Sequence, residues 1–220
     1  MITMRKIFSS VLCLLFINFL YGQPFAEDIT SFQKKDSIHP PPAHAILFVG
    51  SSSFTKWTDV QNYFPGHTII NRGFGGSTLV DVIRYEEQVI FKYEPRQIVI
   101  YCGENDVASA DSITGTIVLQ RFSQLFNNIR RRLPDVPIIY ISMKPSPSRW
   151  LMKDRLKEGN RLIEKFLKKQ KKAHFISVWK GMLGPEGEPK AEIFIEDKLH
   201  MNAKGYAIWQ KLIEPYLLKN

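Results

Sequence analysis

Cysteine is almost absent from this chain of 220 residues: only Cys13 and Cys102 occur. That rules out the disulfide framework of a small secreted scaffold. A chain of this length can instead bury a full core without covalent or metal staples. Cys102 lies inside an apolar, strand-like run, the setting of a buried, inert thiol rather than of a nucleophile. Long hydrophobic runs are missing too. The best candidate, residues 7–20, is shorter than the roughly 20 residues that a membrane-spanning helix needs. Arg5 and Lys6 precede it, so residues 1–22 read as a secretory signal. The expected mature chain is a single domain over 23–220, secreted or periplasmic, with no stable membrane span and with Cys102 as its lone cysteine. Acidic residues are in deficit: 21 Asp and Glu stand against 30 Lys and Arg, and removing Arg5 and Lys6 takes the net charge from +9 to +7. Much of the surplus lies between Lys153 and Lys172, interleaved with Leu156, Leu162, Ile163, Phe166 and Leu167 at helical spacing. This is the pattern of a solvated helix face. No recognition motif or interleaved aromatics accompany it, so nucleic acid is not an expected partner. Internal repeats and low-complexity tracts are also lacking.

What is present is an alternation of strand-like and helix-like segments. Runs of apolar and β-branched residues predict strands over 45–50, 68–73, 97–103, 137–144 and 173–179. Most of these runs do not alternate, as expected of a parallel sheet covered on both faces. Helices are predicted over 59–63, 79–93, 113–133, 150–171 and 203–218, and Thr78 with Asp81 matches a capping box. Phe25, Ile29 and Phe32 share helical spacing ahead of Pro40-Pro41-Pro42, which predicts a short docking helix before the first strand. The order indicates an α/β layered fold around a central parallel sheet.

Ligands of such sheets bind beyond the carboxyl ends of the strands. Ser52, Gly76 and Asn105 each fall just past a predicted strand end, and Asp197 and His200 precede the last helix. Serine is a poor nucleophile until a base takes its proton. An Asp three residues before a His can reach the imidazole and fix the tautomer whose other nitrogen accepts that proton. Of five histidines, only His200 has an acid at that spacing with a helix starting just after it. Ser51 and Ser53 rival Ser52 by position, and Glu196 rivals Asp197 as the orienting acid. The Gly76 amide precedes a helix start, where negative charge is favoured. The Asn105 side chain also offers a donor for an oxyanion. Gly73, Gly75 and Gly76 lack the third glycine of a dinucleotide-binding loop and follow the second strand, not the first. Glu104 and Asp106 have no further ligands at a metal-binding spacing.

Taken together, Gly50-Ser51-Ser52-Ser53, Gly76, Gly103-Glu104-Asn105-Asp106 and Asp197-Lys198-Leu199-His200 resemble the four blocks of the SGNH (GDSL-type) hydrolases. The resemblance covers nearly all of the mature chain, in order. It is strongest to the branch similar to platelet-activating-factor acetylhydrolase, whose second block is similar to Asn71-Arg72-Gly73-Phe74-Gly75-Gly76-Ser77-Thr78. It implies Ser52 as nucleophile, His200 as base and Asp197 as its orienter. The implied oxyanion donors are the amides of Ser52 and Gly76 and the side chain of Asn105. It further implies a flavodoxin-like three-layer sandwich with a five-stranded parallel sheet, and no cofactor. Ser51 departs from the family pattern, standing where many members carry Asp. The function expected is hydrolysis of short-chain, acetyl-type carboxylic esters, with a small ester or an acetylated carbohydrate as substrate. A thioesterase or lysophospholipase on the same residues, or a glycan-binding module that kept only the fold, are the alternatives.

Overall fold

The computed structural model describes residues 23–219; the segment read as a signal, with Arg5, Lys6 and Cys13, lies outside the described residues. Five strands, β1 (Ile46–Gly50), β2 (Ile69–Gly73), β3 (Gln97–Tyr101), β4 (Ile138–Ile141) and β5 (Ala173–Ile176), form one sheet in the order β2-β1-β3-β4-β5. Every pairing is parallel. The order follows from the sequence pattern: β1, β3 and β4 are buried along their whole length, so they occupy the centre.

Helices cover both faces. They are α1 (Ala26–Ile38), α2 (Ser52–Thr55), α3 (Val60–Tyr63), α4 (Leu79–Arg84), α5 (Glu86–Val89), α6 (Glu104–Ser109), α7 (Gly115–Arg132), α8 (Lys153–Leu167) and α9 (Ala203–Ile213). The strand period of two divides the core accordingly. Leu47, Val49, Ile98, Ile100, Ile138 and Tyr140 pack on one side with Phe122 and Phe126 of α7 and Leu156 and Ile163 of α8. Ile46, Phe48, Val99, Tyr101, Ile139 and Ile141 pack on the other with Phe54, Trp57 and Trp209. Phe54 and Trp57 are therefore core residues, fully buried.

The predicted capping box is present: Thr78 Oγ1 accepts from Asp81 N, and Thr78 N donates to Asp81 Oδ2. The helix predicted over 79–93 is broken into α4, α5 and a 3-10 turn (Phe91–Tyr93). The first break falls at Tyr85, with φ −106° and ψ 15°. Its ring is buried edge-on against Phe74, and its hydroxyl donates to Pro24 O at 2.8 Å. This tertiary contact overrides local helix propensity. The helix predicted from 150 starts at Lys153, because a 3-10 segment (Pro147–Met152) precedes it. The predicted N-terminal helix is α1. Its Asp36 is buried and receives the guanidinium of Arg72, Lys92 Nζ at 2.9 Å and Tyr93 OH at 2.7 Å. Burial alone would raise this carboxyl; bonds from Lys92 and Tyr93 and the Arg72 charge outweigh it and hold it down.

Candidate active site

The chain leaves β1 in one direction for β2, and β3 lies on the other side, so a crevice opens between the carboxyl ends of β1 and β3. The first turn into that crevice depends on Gly50. Its φ is +141°, and a Cβ there would stand 1.9 Å from Tyr101 O, across the β1–β3 pairing. Only glycine permits both the conformation and the approach. Ser51 N then donates to Tyr101 O at 2.9 Å, and Ser52 becomes the first residue of α2. Asn71 holds this turn from below: its Nδ2 donates to Phe54 O at 2.7 Å, while its Oδ1 accepts from Gly73 N.

Three more segments close on Ser52. After β2, Phe74 N and Ser77 Oγ both donate to Gly50 O, which ties the glycine turn to the end of β1. Gly76 within it has φ +86°, and the Phe25 ring at the start of α1 lies 3.7 Å from where its Cβ would be. After β3, α6 presents Asn105. Before α9, a tight turn carries Asp197 and His200, and Asn202 caps the helix that follows. Ser52, Gly75, Gly76, Asn105, Arg149 and His200 line one cavity of about 300 Å³. Four of the five candidate site residues thus border a single space. The fifth, Asp197, stands behind His200.

The imidazole is oriented as an Asp–His pair requires. His200 Nδ1 lies 2.6 Å from Asp197 Oδ2, and Asp197 Oδ1 accepts from the N–H groups of Leu199 and His200 at 2.9 and 2.8 Å. Burial works to raise the Asp197 carboxyl, but these bonds and the His200 charge hold it at about 2. A carboxylate so ionised keeps the proton on Nδ1 and leaves Nε2 as the acceptor. Nε2 is buried without a hydrogen-bond partner among the described residues, so no bond yet joins it to Ser52 Oγ. Such catalytic bonds are often long or unmade before substrate binds. Glu196 is exposed and makes no bond to the imidazole.

On the opposite wall, the backbone N–H groups of Ser52 and Gly76 have no acceptor among the described residues. Asn105 is more heavily engaged. Its Nδ2 donates to Ser51 Oγ at 2.6 Å and to Ser77 O at 3.0 Å, while its Oδ1 accepts from Arg149 Nη2 at 2.7 Å. Arginine can only donate, so this contact settles which end of the amide is oxygen. An oxyanion reaching Nδ2 would share or replace the Ser51 bond. Ser51 is therefore bound to the amide, and Ser53 lies on the buried side of α2; of the three serines, only Ser52 opens on the cavity.

The two acids flanking Asn105 acquire partners that sequence reasoning missed. Asp106 accepts from Leu79 N at 2.9 Å and pairs with Arg121 at 2.7 Å, although burial still pushes it up. Glu104 pairs with Lys144 at 3.0 Å and Arg149 at 3.2 Å, and Tyr101 OH also donates to it. Burial would raise Glu104, but the charges of Lys144 and Arg149 outweigh it and keep it ionised. The available signal was a lysine ending the apolar run of β4 beside an acid ending that of β3, since a buried charge needs a partner. Among the described residues no cluster of His, Cys, Asp and Glu could hold a metal ion.

A sequence model of the GDSL-like lipase/acylhydrolase family matches residues 48–208. No curated protein sequence matches the chain. Among solved structures, a protein from Streptococcus pneumonia assigned as a platelet activating factor superposes with a TM-score of 0.76 at 19% identity, covering 87% of this chain and 92% of that one. A GDSL-like lipase from Bacteroides thetaiotaomicron gives 0.71 at 20% identity, covering 86% and 96%. An acetylxylan esterase from Geobacillus stearothermophilus gives 0.63 at 14% identity, covering 80% and 94%. These similarities establish the shared fold.

Proposed function

The chain belongs to the GDSL-like lipase/acylhydrolase family, and from that premise we propose that it is an exported serine esterase that removes short acyl groups, acetyl foremost, from carbohydrate alcohols. One observation carries the reading: Ser52, a histidine with a buried, unpartnered Nε2 and three oxyanion donors border one small cavity. In the reaction, Ser52 Oγ attacks the ester carbonyl while His200 Nε2 takes its proton. The tetrahedral oxyanion is held by the amides of Ser52 and Gly76 and by Asn105 Nδ2. It collapses to an acyl-Ser52 ester as His200 returns the proton to the departing alcohol. Water, activated by the same nitrogen, then releases the acid and restores Ser52. Each oxyanion donor is worth about 3 kcal/mol of barrier.

Acetyl is favoured by the size of the cavity. Of the residues that border it, only Leu199 carries a large apolar side chain, and the others are small, polar or basic. A cavity of about 300 Å³ leaves little room for a long acyl chain. The similarity in fold to an acetylxylan esterase supports a sugar as the alcohol. The test is kcat/KM for acetyl, butyryl, octanoyl and palmitoyl p-nitrophenyl esters, with acetate release from acetylated xylo-oligosaccharides in parallel. Rates should fall steadily from acetyl upward. A preference for octanoyl or longer chains would overturn the reading in favour of a lipid substrate.

A further inference from the structure

Arg149 borders the cavity yet has no place in the reaction above. It sits in the 3-10 segment after β4, and its own φ and ψ (−113°, 16°) interrupt that segment. The neighbouring residue ties it to the Asp–His turn, since Ser148 N donates to Lys198 O at 3.1 Å. Its guanidinium divides between two partners. Nη2 donates to Asn105 Oδ1 at 2.7 Å, and Nη1 pairs with Glu104 Oε1 at 3.2 Å. Glu104 is held in turn by Lys144, and the two side chains are 5% and 2% exposed. The guanidinium is thereby held directly behind the Asn105 amide, beside a charge pair that water barely reaches.

We propose that Arg149 is a positioning residue for the oxyanion donor Asn105, fixing the orientation of its amide and polarising it, with the buried Glu104–Lys144 pair holding the guanidinium in place. The physical basis is twofold. An amide whose oxygen is bound by a cation cannot flip, so Nδ2 stays on the side of Ser51 and the cavity. A charge-assisted bond to Oδ1 also draws electron density out of the carbonyl, which makes the Nδ2–H groups stronger donors. The benefit is largest when the acceptor becomes negative, so it belongs to the transition state rather than to substrate binding.

This inference rests on the reading of Asn105 as an oxyanion donor, and the test separates the two. Asn105→Ala, Arg149→Met, the double variant and Arg149→Lys are assayed on p-nitrophenyl acetate, each with a melting curve. Asn105→Ala should lose roughly a hundredfold or more in kcat. Arg149→Met should lose roughly ten- to a hundredfold in kcat, with KM changed by less than about threefold. In the Asn105→Ala background the same substitution should cost less than about threefold, because its target is gone. Arg149→Lys should recover part of the loss, and added guanidinium ion should partly restore Arg149→Ala, which covers the case in which Arg149→Met does not fold. A loss in Arg149→Met equal in both backgrounds, a change in KM alone, or an unchanged kcat overturns the inference while the esterase reading stands. Wild-type kcat in Asn105→Ala overturns the reading of Asn105 as an oxyanion donor and, with it, this inference.

Discussion

At the scale of single residues, three adjacent serines have three fates. Ser51 is bound to Asn105, Ser53 lies on the buried side of α2, and Ser52 opens on the cavity. Ser52→Ala should therefore abolish hydrolysis of p-nitrophenyl acetate with an unchanged melting temperature. Full activity in that variant, or loss confined to Ser53→Ala, would contradict the assigned nucleophile. Asp197 yields a second expectation, one that depends on pH. Its carboxyl titrates at about 2 in the fold against an ordinary 3.8. A group depressed on folding stabilises the fold above its unfolded pKa, and that contribution fades as pH falls through the folded value. The melting temperature of the wild type should exceed that of Asp197→Asn at pH 5, and the gap should close between roughly pH 4 and pH 2. Asp197 is 43% exposed on its side chain, so the gap should be small. A gap that widens towards acid pH would show that the carboxylate is not favoured by its neighbours.

At the scale of elements, α1 is more than a leader into the first strand. Asp36 anchors its last turn through Arg72, Lys92 and Tyr93, and Phe25 at its start packs edge-on against Phe74, beside the Gly76 turn. Removing Asp36 strands a half-buried arginine and a buried tyrosine hydroxyl. Asp36→Ala should cost roughly 3 kcal/mol, measured by urea denaturation. It should also lower kcat, because the turn that offers the Gly76 amide loses its outer support; an unchanged kcat would show that α1 serves stability alone. The existence of α1 was legible in the spacing of Phe25, Ile29 and Phe32, but its anchor was not, since Asp36 finds Arg72 and Lys92 only once β2 and the turn before β3 are in place. The same division runs through the chain. The central strands were legible because burial on both faces writes an unbroken apolar run, and the Thr78–Asp81 cap because it is local. The break at Tyr85 was not, because Pro24 O, distant in sequence, sets it. The candidate residues that meet at the cavity each follow a strand end or precede a helix, so their convergence could be read from topology. Arg149 could not, because its proposed role lies in a partner that follows the neighbouring strand β3, distant in sequence.

At the scale of the whole molecule, charge and topology set the behaviour. The chain carries +9, and Lys56 and Arg149 add basic groups at the mouth and wall of the cavity. Anionic esters should be drawn in, an effect that salt screens over a Debye length of about 10 Å at 0.1 M. Accordingly, kcat/KM for a carboxylated acetyl ester should fall as salt rises from about 20 to 500 mM, while that for a neutral ester stays level. Equal salt dependence for both would assign the effect to the fold rather than to steering.

The placing of β1 inside the sheet, between β2 and β3, has a temporal side. Its partners β2 and β3 come later in the chain, and His200, the proposed base, comes later still, in the turn before α9. A growing polypeptide therefore holds the proposed nucleophile long before the proposed base. In the fold, α9 packs Trp209 against Phe54 and Tyr101, which fixes the turn carrying His200 beside α2. On the proposed mechanism, a chain arrested before His200 should be silent, and the first turnover would mark the moment when Ser52 and His200 have met.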